Sequence, residues 1–189
     1  VIFYFVNPMV RFYVNIITSF LKIIKKIEKG KLTDKFSDGT IVRISHIGST
    51  AIPGIISKPT IDILMEISPD SDISRITAAL KSMDWILMNS SDKPIFKQSY
   101  NKGYTKYGFA QKVYHLHVRY PGDWNELYFR DYLIEHPHVA QEYVDLKKQL
   151  KEKYEHNREA YTDGKEAFVS RYSEIAKVKY KDRYKISVA

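Results

Sequence analysis

The sequence predicts an α/β (α+β) fold, a mixed β-sheet flanked by helices with a helical C-terminal third. Two runs rich in β-branched residues, Ile41 to Ile47 and Thr60 to Ile67, sit on either side of a loop containing Pro53, Gly54 and Pro59. Tyr114-His115-Leu116-His117-Val118-Arg119-Tyr120 alternates as a half-buried strand does, placing His115, His117 and Arg119 on one face. After Pro121-Gly122 the pattern turns helical and stays so. Helix, then strands, then helices argues for one α/β domain across residues 1–189.

From the start of the chain, Val10, Tyr13, Ile17, Phe20, Ile24 and Ile27 recur at three- and four-residue spacing. That is the apolar stripe of a helix, with Lys22, Lys25, Lys26 and Lys29 on its other sides. Asp38-Gly39 marks a turn into the first strand. After the second strand, Ser71 or Asp72 caps a helix reaching to about Met83. Trp85 to Met88 reads as a short strand. Residues 94–120 divide into two or three strands, with turns at Asn101-Lys102-Gly103 and near Gln111. Helices are expected over roughly 124–135, 138–155 and 164–179. Pro137 suits the first position of the middle helix and forces a break after His136.

Hydrophobic residues make up 44% and charged residues 28% of the chain, the balance of a packed globular protein. There is no cysteine, so disulfides and thiolate metal sites are excluded, which suits a cytoplasmic location. The opening VIFYFV is only six apolar residues long before Asn7 and Pro8 interrupt it. A membrane span needs about 20, so no membrane partner is expected. The net charge of +8 favours anionic partners. No acidic residue occurs from Lys93 to Gly122, while Lys93, Lys97, Lys102, Lys106, Lys112 and Arg119 are basic. Two readings of that run stand side by side: the border of a phosphate site, or a solvated basic face.

The most informative stretch is His46-Ile47-Gly48-Ser49-Thr50-Ala51-Ile52-Pro53-Gly54, followed by Lys58-Pro59-Thr60-Ile61-Asp62-Ile63-Leu64-Met65-Glu66. Gly48 lets the backbone turn sharply and approach a ligand. Backbone N–H groups with the Ser49 and Thr50 hydroxyls can receive phosphate oxygens, and Lys58 adds a point charge. Asp62, on the next strand, can hold a divalent cation, Mg²⁺ or Mn²⁺, bridging those phosphates. Gly-Ser followed by an aspartate on an apolar strand is similar to the general signature of the nucleotidyltransferase superfamily.

The fuller string HIGSTAIPGIISKPTIDILMEI closely resembles the GrpB family, a branch of that superfamily. The resemblance continues at YHLHVRYPGDWNELYFRDYLIEHP, EYVDLKKQL and YTDGKEAFV, and so covers about residues 41–176. It implies a nucleotidyltransferase-like fold. It also makes Arg130, in the FRDYL segment, a phosphate contact, and draws Lys165, in the K-x-x-F pattern, into the same set. The plainer readings are an Arg130 paired with its neighbours and a Lys165 on an ordinary surface.

Working enzymes of the superfamily place two carboxylates at alternate strand positions to hold two metal ions. Here the position two after Asp62 is Leu64, and Glu66 lies about 13 Å along an extended strand. His115 and His117 can supply what is missing, as metal ligands with Asp62 and Glu66 or as acid and base, with His46 nearby. The plainer reading is a pair of histidines on a partly exposed sheet face. Tyr100, Tyr104, Tyr107, Tyr114 and Tyr120, among basic residues, can stack bases or simply pack. The sequence has no Walker-A, dinucleotide-binding or serine-elbow motif. Three functions follow: a nucleotide- or phosphate-ester-binding nucleotidyltransferase, a non-catalytic module binding nucleotide or RNA, and a metal-dependent phosphoester hydrolase.

Overall fold

The structure, a computed structural model, describes residues 26–58, 60–105 and 108–185. The expected apolar stripe from Val10 to Ile24 lies outside them, as do Pro59, Lys106 and Tyr107. The described chain opens in helix α1 (26–35), then β1 (Ile41–Ile47), a 3-10 turn (Ser49–Ala51), β2 (Thr60–Ile67) and α2 (Ile73–Lys81). Next come β3 (Ile86–Ser91), β4 (Lys97–Thr105) and β5 (Gly108–Arg119). Four helices close the chain: α3 (Asn125–Glu135), α4 (Pro137–Lys153), α5 (Arg158–Asp163) and α6 (Glu166–Lys179).

The five strands form one mixed sheet in the order β1-β2-β5-β4-β3. β2 and β5 are parallel while the other neighbours are antiparallel. The chain leaves β2, builds α2 and the outer β3–β4 pair, and inserts β5 between β4 and β2. That insertion sets the aspartate of β2 beside the histidines of β5.

Each face of the sheet has its own cover. Ile61, Ile63, Met65 and Ile67 of β2 join Tyr114, Leu116 and Val118 of β5 against Leu32, Phe36, Ile76, Leu80 and Trp85. On the opposite face Ile47 and Leu64 pack on Leu127 of α3. A second helical core gathers Phe129, Leu133, Val139, Tyr143 and Tyr172 around one loop residue, Ile52. β2 is covered on both faces, which is why it reads as a nearly unbroken apolar run.

Local signals decide several boundaries. Asp72, rather than Ser71, caps α2, its side chain accepting from Arg75 N at 3.1 Å. Pro137 begins α4 as expected. The Asn101-Lys102-Gly103 segment is a correction: it is no turn but lies within β4, and no turn interrupts β5 near Gln111. Gly103, at φ 90°, absorbs a register shift between Lys102 and Tyr104, so the glycine makes a bulge and the strand continues to Thr105 opposite Gly108. The strand expected at Trp85 to Met88 runs instead from Ile86 to Ser91, and the last expected helix is preceded by the separate α5.

Candidate phosphate-binding site

The loop leaving β1 turns back at the start of β2, where Ile47 lies opposite Asp62. Gly48 makes that turn at φ 72°, and a Cβ on it would come within 2.4 Å of Asp62 Oδ2. Both the backbone angle and the approach of the carboxylate therefore demand glycine. Ser49 to Ala51 form a single 3-10 turn. The Thr50 hydroxyl donates to Thr60 O at 2.9 Å, which uses its one proton. His46 Nε2, 3.0 Å from Thr50 Oγ1, is then the donor in that contact. His46 and Thr50 thus clamp the loop shut. Ile52, only 4% exposed, plugs into the helical core and pins the loop against α4.

That docking brings α4 to Ser49. Lys147 Nζ donates to Ser49 Oγ at 3.2 Å and to Ile56 O at 2.8 Å. The Ser49 hydroxyl also hydrogen-bonds the buried Tyr143. Burial, with the nearby charge of Lys165, lowers the Lys147 pKa to about 8. Lys165 is itself pushed below the usual ammonium range, first by burial and then by Lys58 and Arg158, while Asp62 pulls the other way. Lys147 thus reaches the Ser49 loop, Lys165 lies near enough to act on Lys147, and Lys58, Arg158 and Asp62 act in turn on Lys165. Lys147 was missed in the sequence. Its signal was a lysine on the buried stripe of α4, between Tyr143 and Leu150 at helical spacing.

The parallel register sets Asp62 beside His115 and Leu64 beside His117. Asp62 Oδ1 lies 3.1 Å from His115 Nδ1, and the Tyr104 hydroxyl lies 3.0 Å from Nε2. With the carboxylate accepting at Nδ1, the tautomer that leaves Nε2 to accept from Tyr104 fits both contacts. The imidazole is therefore held from both ends. Burial pushes the pKa of His117 down, with Asp62 pulling it partly back.

Other residues expected at the site are engaged elsewhere. Glu66 is 0% exposed and paired with Arg43, whose Nη2 lies 2.7 Å from Oε1, and it accepts Gly122 N at 3.0 Å. Leu64, at the place of a second carboxylate, is sealed between Ile47 and Leu127. Among the described residues no three His, Cys, Asp or Glu side chains gather to hold an ion, so Asp62, Glu66, His115 and His117 do not form one ligand set. Arg119 pairs with Glu126 at 2.8 Å and lies over the Trp124 ring. Arg130 donates to His46 O at 2.9 Å and to Tyr184 OH, bracing the end of β1. In the basic run, Lys102 crosses to the other face and pairs with Glu28 at 2.7 Å. Tyr100 and Tyr114 are buried and Tyr120 packs on Phe96, whereas Tyr104 stays exposed at the site. No helix among the described residues is long and apolar enough to cross a membrane.

A family model described as GrpB protein matches residues 18–174. The glutamate-rich protein GrpB of Alkalihalophilus pseudofirmus is 38% identical over 133 residues, 67% of this chain and 74% of its own length. The UPF0157 protein PA4798 of Pseudomonas aeruginosa is 37% identical over 131 residues, 68% of this chain. The match spans about half, 52%, of that relative's length. For the UPF0157 protein YqkA of Bacillus subtilis, 32% identical, it spans 39%. The crystal structure of conserved protein GrpB from Enterococcus faecalis has the same fold, with a TM-score of 0.67 at 24% identity over 84% of this chain and 93% of that one. A likeness to Cid1 poly(U) polymerase with Mg and 3'-dATP bound, at a TM-score of 0.37 and 9% identity, is too slight to bear on function.

Proposed function

The chain belongs to the GrpB family, and from that premise we propose that it binds the phosphates of a nucleotide or other phosphorylated small molecule at the Gly48-Ser49 loop, and transfers a nucleotidyl group to an acceptor. The observation that carries the binding half is Lys147 on the Ser49 hydroxyl, with Lys165 acting on Lys147, and Lys58 and Arg158 acting on Lys165. Like charges near one another repel, and a phosphate chain is the counter-ion that relieves them. The transfer half is supported by Asp62 and His115: the carboxylate orients the imidazole, whose Nε2 takes a proton from an acceptor hydroxyl that displaces the Tyr104 hydroxyl.

The donors present do not fit a resident two-metal centre. Leu64 is buried in apolar contacts and Glu66 is neutralised by Arg43. A Mg²⁺ or Mn²⁺ carried in on the phosphates would meet one carboxylate, Asp62. That poverty of carboxylates favours a second reading, a module of the same fold that binds nucleotide without transfer.

Thermal-shift measurements with ATP, GTP, CTP and UTP, with and without Mg²⁺ or Mn²⁺, separate the two. A ligand at about a hundred times its Kd stabilises by about 2.7 kcal/mol. A metal-dependent shift lost in Asp62→Ala, with a transferred product, supports the enzyme. A metal-independent shift kept in Asp62→Ala but lost in Lys165→Ala supports binding alone. No shift with any nucleotide overturns the nucleotide reading.

A further inference from the structure

Asp62 has a neighbour at each oxygen. Oδ2 lies against Gly48, where a Cβ would collide with it, and Oδ1 lies 3.1 Å from His115 Nδ1. One carboxylate and one imidazole therefore separate the Gly48-Ser49 loop from His115 Nε2, a span that a triphosphate chain can bridge. With the carboxylate accepting at Nδ1, the Nε2 lone pair points away from it, toward the Tyr104 hydroxyl at 3.0 Å. The His115 and Asp62 side chains are each 26% exposed, so the pair is reached from solvent. An imidazole oriented by a carboxylate, with its other nitrogen presented outward, is the arrangement of a nucleophile as well as of a base. Direct transfer to an acceptor hydroxyl draws on two metal ions that clamp the attacking and leaving oxygens. Here the one carboxylate at the loop is spent on the imidazole, Leu64 is sealed in apolar contacts and Glu66 is paired with Arg43. A neutral imidazole is nucleophilic without a metal, which answers that shortage.

We propose that His115 is the nucleophile of a two-step transfer, carrying the nucleotidyl group on Nε2 between a nucleoside triphosphate and the acceptor. The inference rests on the phosphate-binding and transfer reading above and supplies its intermediate. In the first step Nε2 forms a bond to the α-phosphorus, and the bond from that phosphorus to the oxygen bridging to the β-phosphate breaks. Pyrophosphate leaves with the bonding pair. The ring, bonded at Nε2 and still protonated at Nδ1, becomes cationic, and the Asp62 carboxylate stabilises that charge. In the second step the acceptor oxygen bonds to the phosphorus and the phosphorus–nitrogen bond breaks. The imidazole leaves with the pair, and Nε2 takes the acceptor's proton before passing it to water. Tyr104 gives up Nε2 for either step, and its hydroxyl can then donate to a phosphate oxygen. The loop backbone and the Ser49 hydroxyl, with Lys147 Nζ 3.2 Å from Ser49 Oγ, hold the departing pyrophosphate.

The full chain is incubated with Mg²⁺ and ATP, GTP, CTP or UTP, labelled in separate runs at the α- and the γ-phosphate, with no acceptor added. The reaction is quenched in alkali, which spares a phosphorus–nitrogen bond, and the adduct is located by peptide mass spectrometry. The α-label is expected on His115, lost on mild acid treatment, with an equal amount of pyrophosphate released and no γ-label retained. His115→Asn should abolish the adduct. Asp62→Asn should slow its formation by at least about a hundredfold, as loss of the group that fixes a catalytic histidine's tautomer does. Melting temperatures of both variants separate loss of chemistry from loss of fold, and the mapped site in the wild type needs no variant at all. No α-label on the wild type, an adduct on another residue, or retention of the γ-label overturns the inference. If nucleotides still shift the melting temperature in that case, the phosphate-binding reading stands without the covalent step. Absence of both adduct and shift overturns the two together.

Discussion

Replacing Arg43 by methionine strands a carboxylate that has no access to solvent. Glu66 is 0% exposed, and its Oε1 accepts from Arg43 Nη2 at 2.7 Å and from Gly122 N at 3.0 Å. Its Oε2 is in contact with Arg43 Nε. After Arg43→Met only the Gly122 amide remains, and breaking a buried pair from one side costs about 3–5 kcal/mol. For a chain of this size each kcal/mol is worth about 2–4 °C, so melting should fall by roughly 10 °C. Arg43 also donates to Gly122 O and Tyr184 O, so the C-terminal end loosens with it. The double variant Arg43→Met/Glu66→Leu removes both charges and should regain at least half of the loss, because an apolar pair of similar volume is often neutral there. Urea denaturation of wild type, both singles and the double gives the coupling energy. A loss below about 1 kcal/mol in Arg43→Met, or a double worse than the sum of the singles, would refute the argument that this carboxylate depends on its partner.

Gly48→Ala, at φ 72° and with its Cβ 2.4 Å from Asp62 Oδ2, should add about 1–2 kcal/mol of backbone strain and displace the carboxylate from His115. Nucleotide-induced stabilisation that survives intact would contradict it. Leu64→Asp should destabilise by several kcal/mol, since the position is sealed between Ile47 and Leu127, and should not build a second metal ligand. A folded variant with new Mg²⁺-dependent activity is the opposing result. Lys147 has a folded pKa of about 8, lowered from 10.5, so its cation disappears as pH rises through 8. Pyrophosphate affinity measured by calorimetry should therefore drop between pH 7 and pH 9, and less so in Lys147→Arg. Equal drops in both proteins would show that another group is responsible.

Much of the sheet was legible because its signals are local. The alternation at 114–120 placed His115, His117 and Arg119 on one face, and the β-branched runs gave β1 and β2 at the bounds later found. Asn101-Lys102-Gly103 misled because a glycine at positive φ serves a bulge as readily as a turn, and only the partner strand decides which. The pairing of Asp62 with His115 follows from β5 inserting between β2 and β4, a topological choice with no mark in either strand. Glu66 looked available because nothing in spacing reveals Arg43, 23 residues earlier, across an antiparallel pair. Lys147 was hidden for a similar reason: its place depends on Ile52 entering the helical core, a contact made in three dimensions.

The cradle is assembled from distant parts of the chain, and this orders events during synthesis. The Gly48-Ser49 loop and Asp62 leave the ribosome first, while Lys147, Arg158 and Lys165 follow roughly a hundred residues later. At about 5–20 residues per second, the nascent protein carries half a cradle for about 5–20 s. During that interval the loop lacks the helices that hold it, and a phosphate bound as proposed would find few of the charges that attract it. On the proposed reading, phosphate capture waits until the segments carrying Lys147 and Lys165 have emerged and docked.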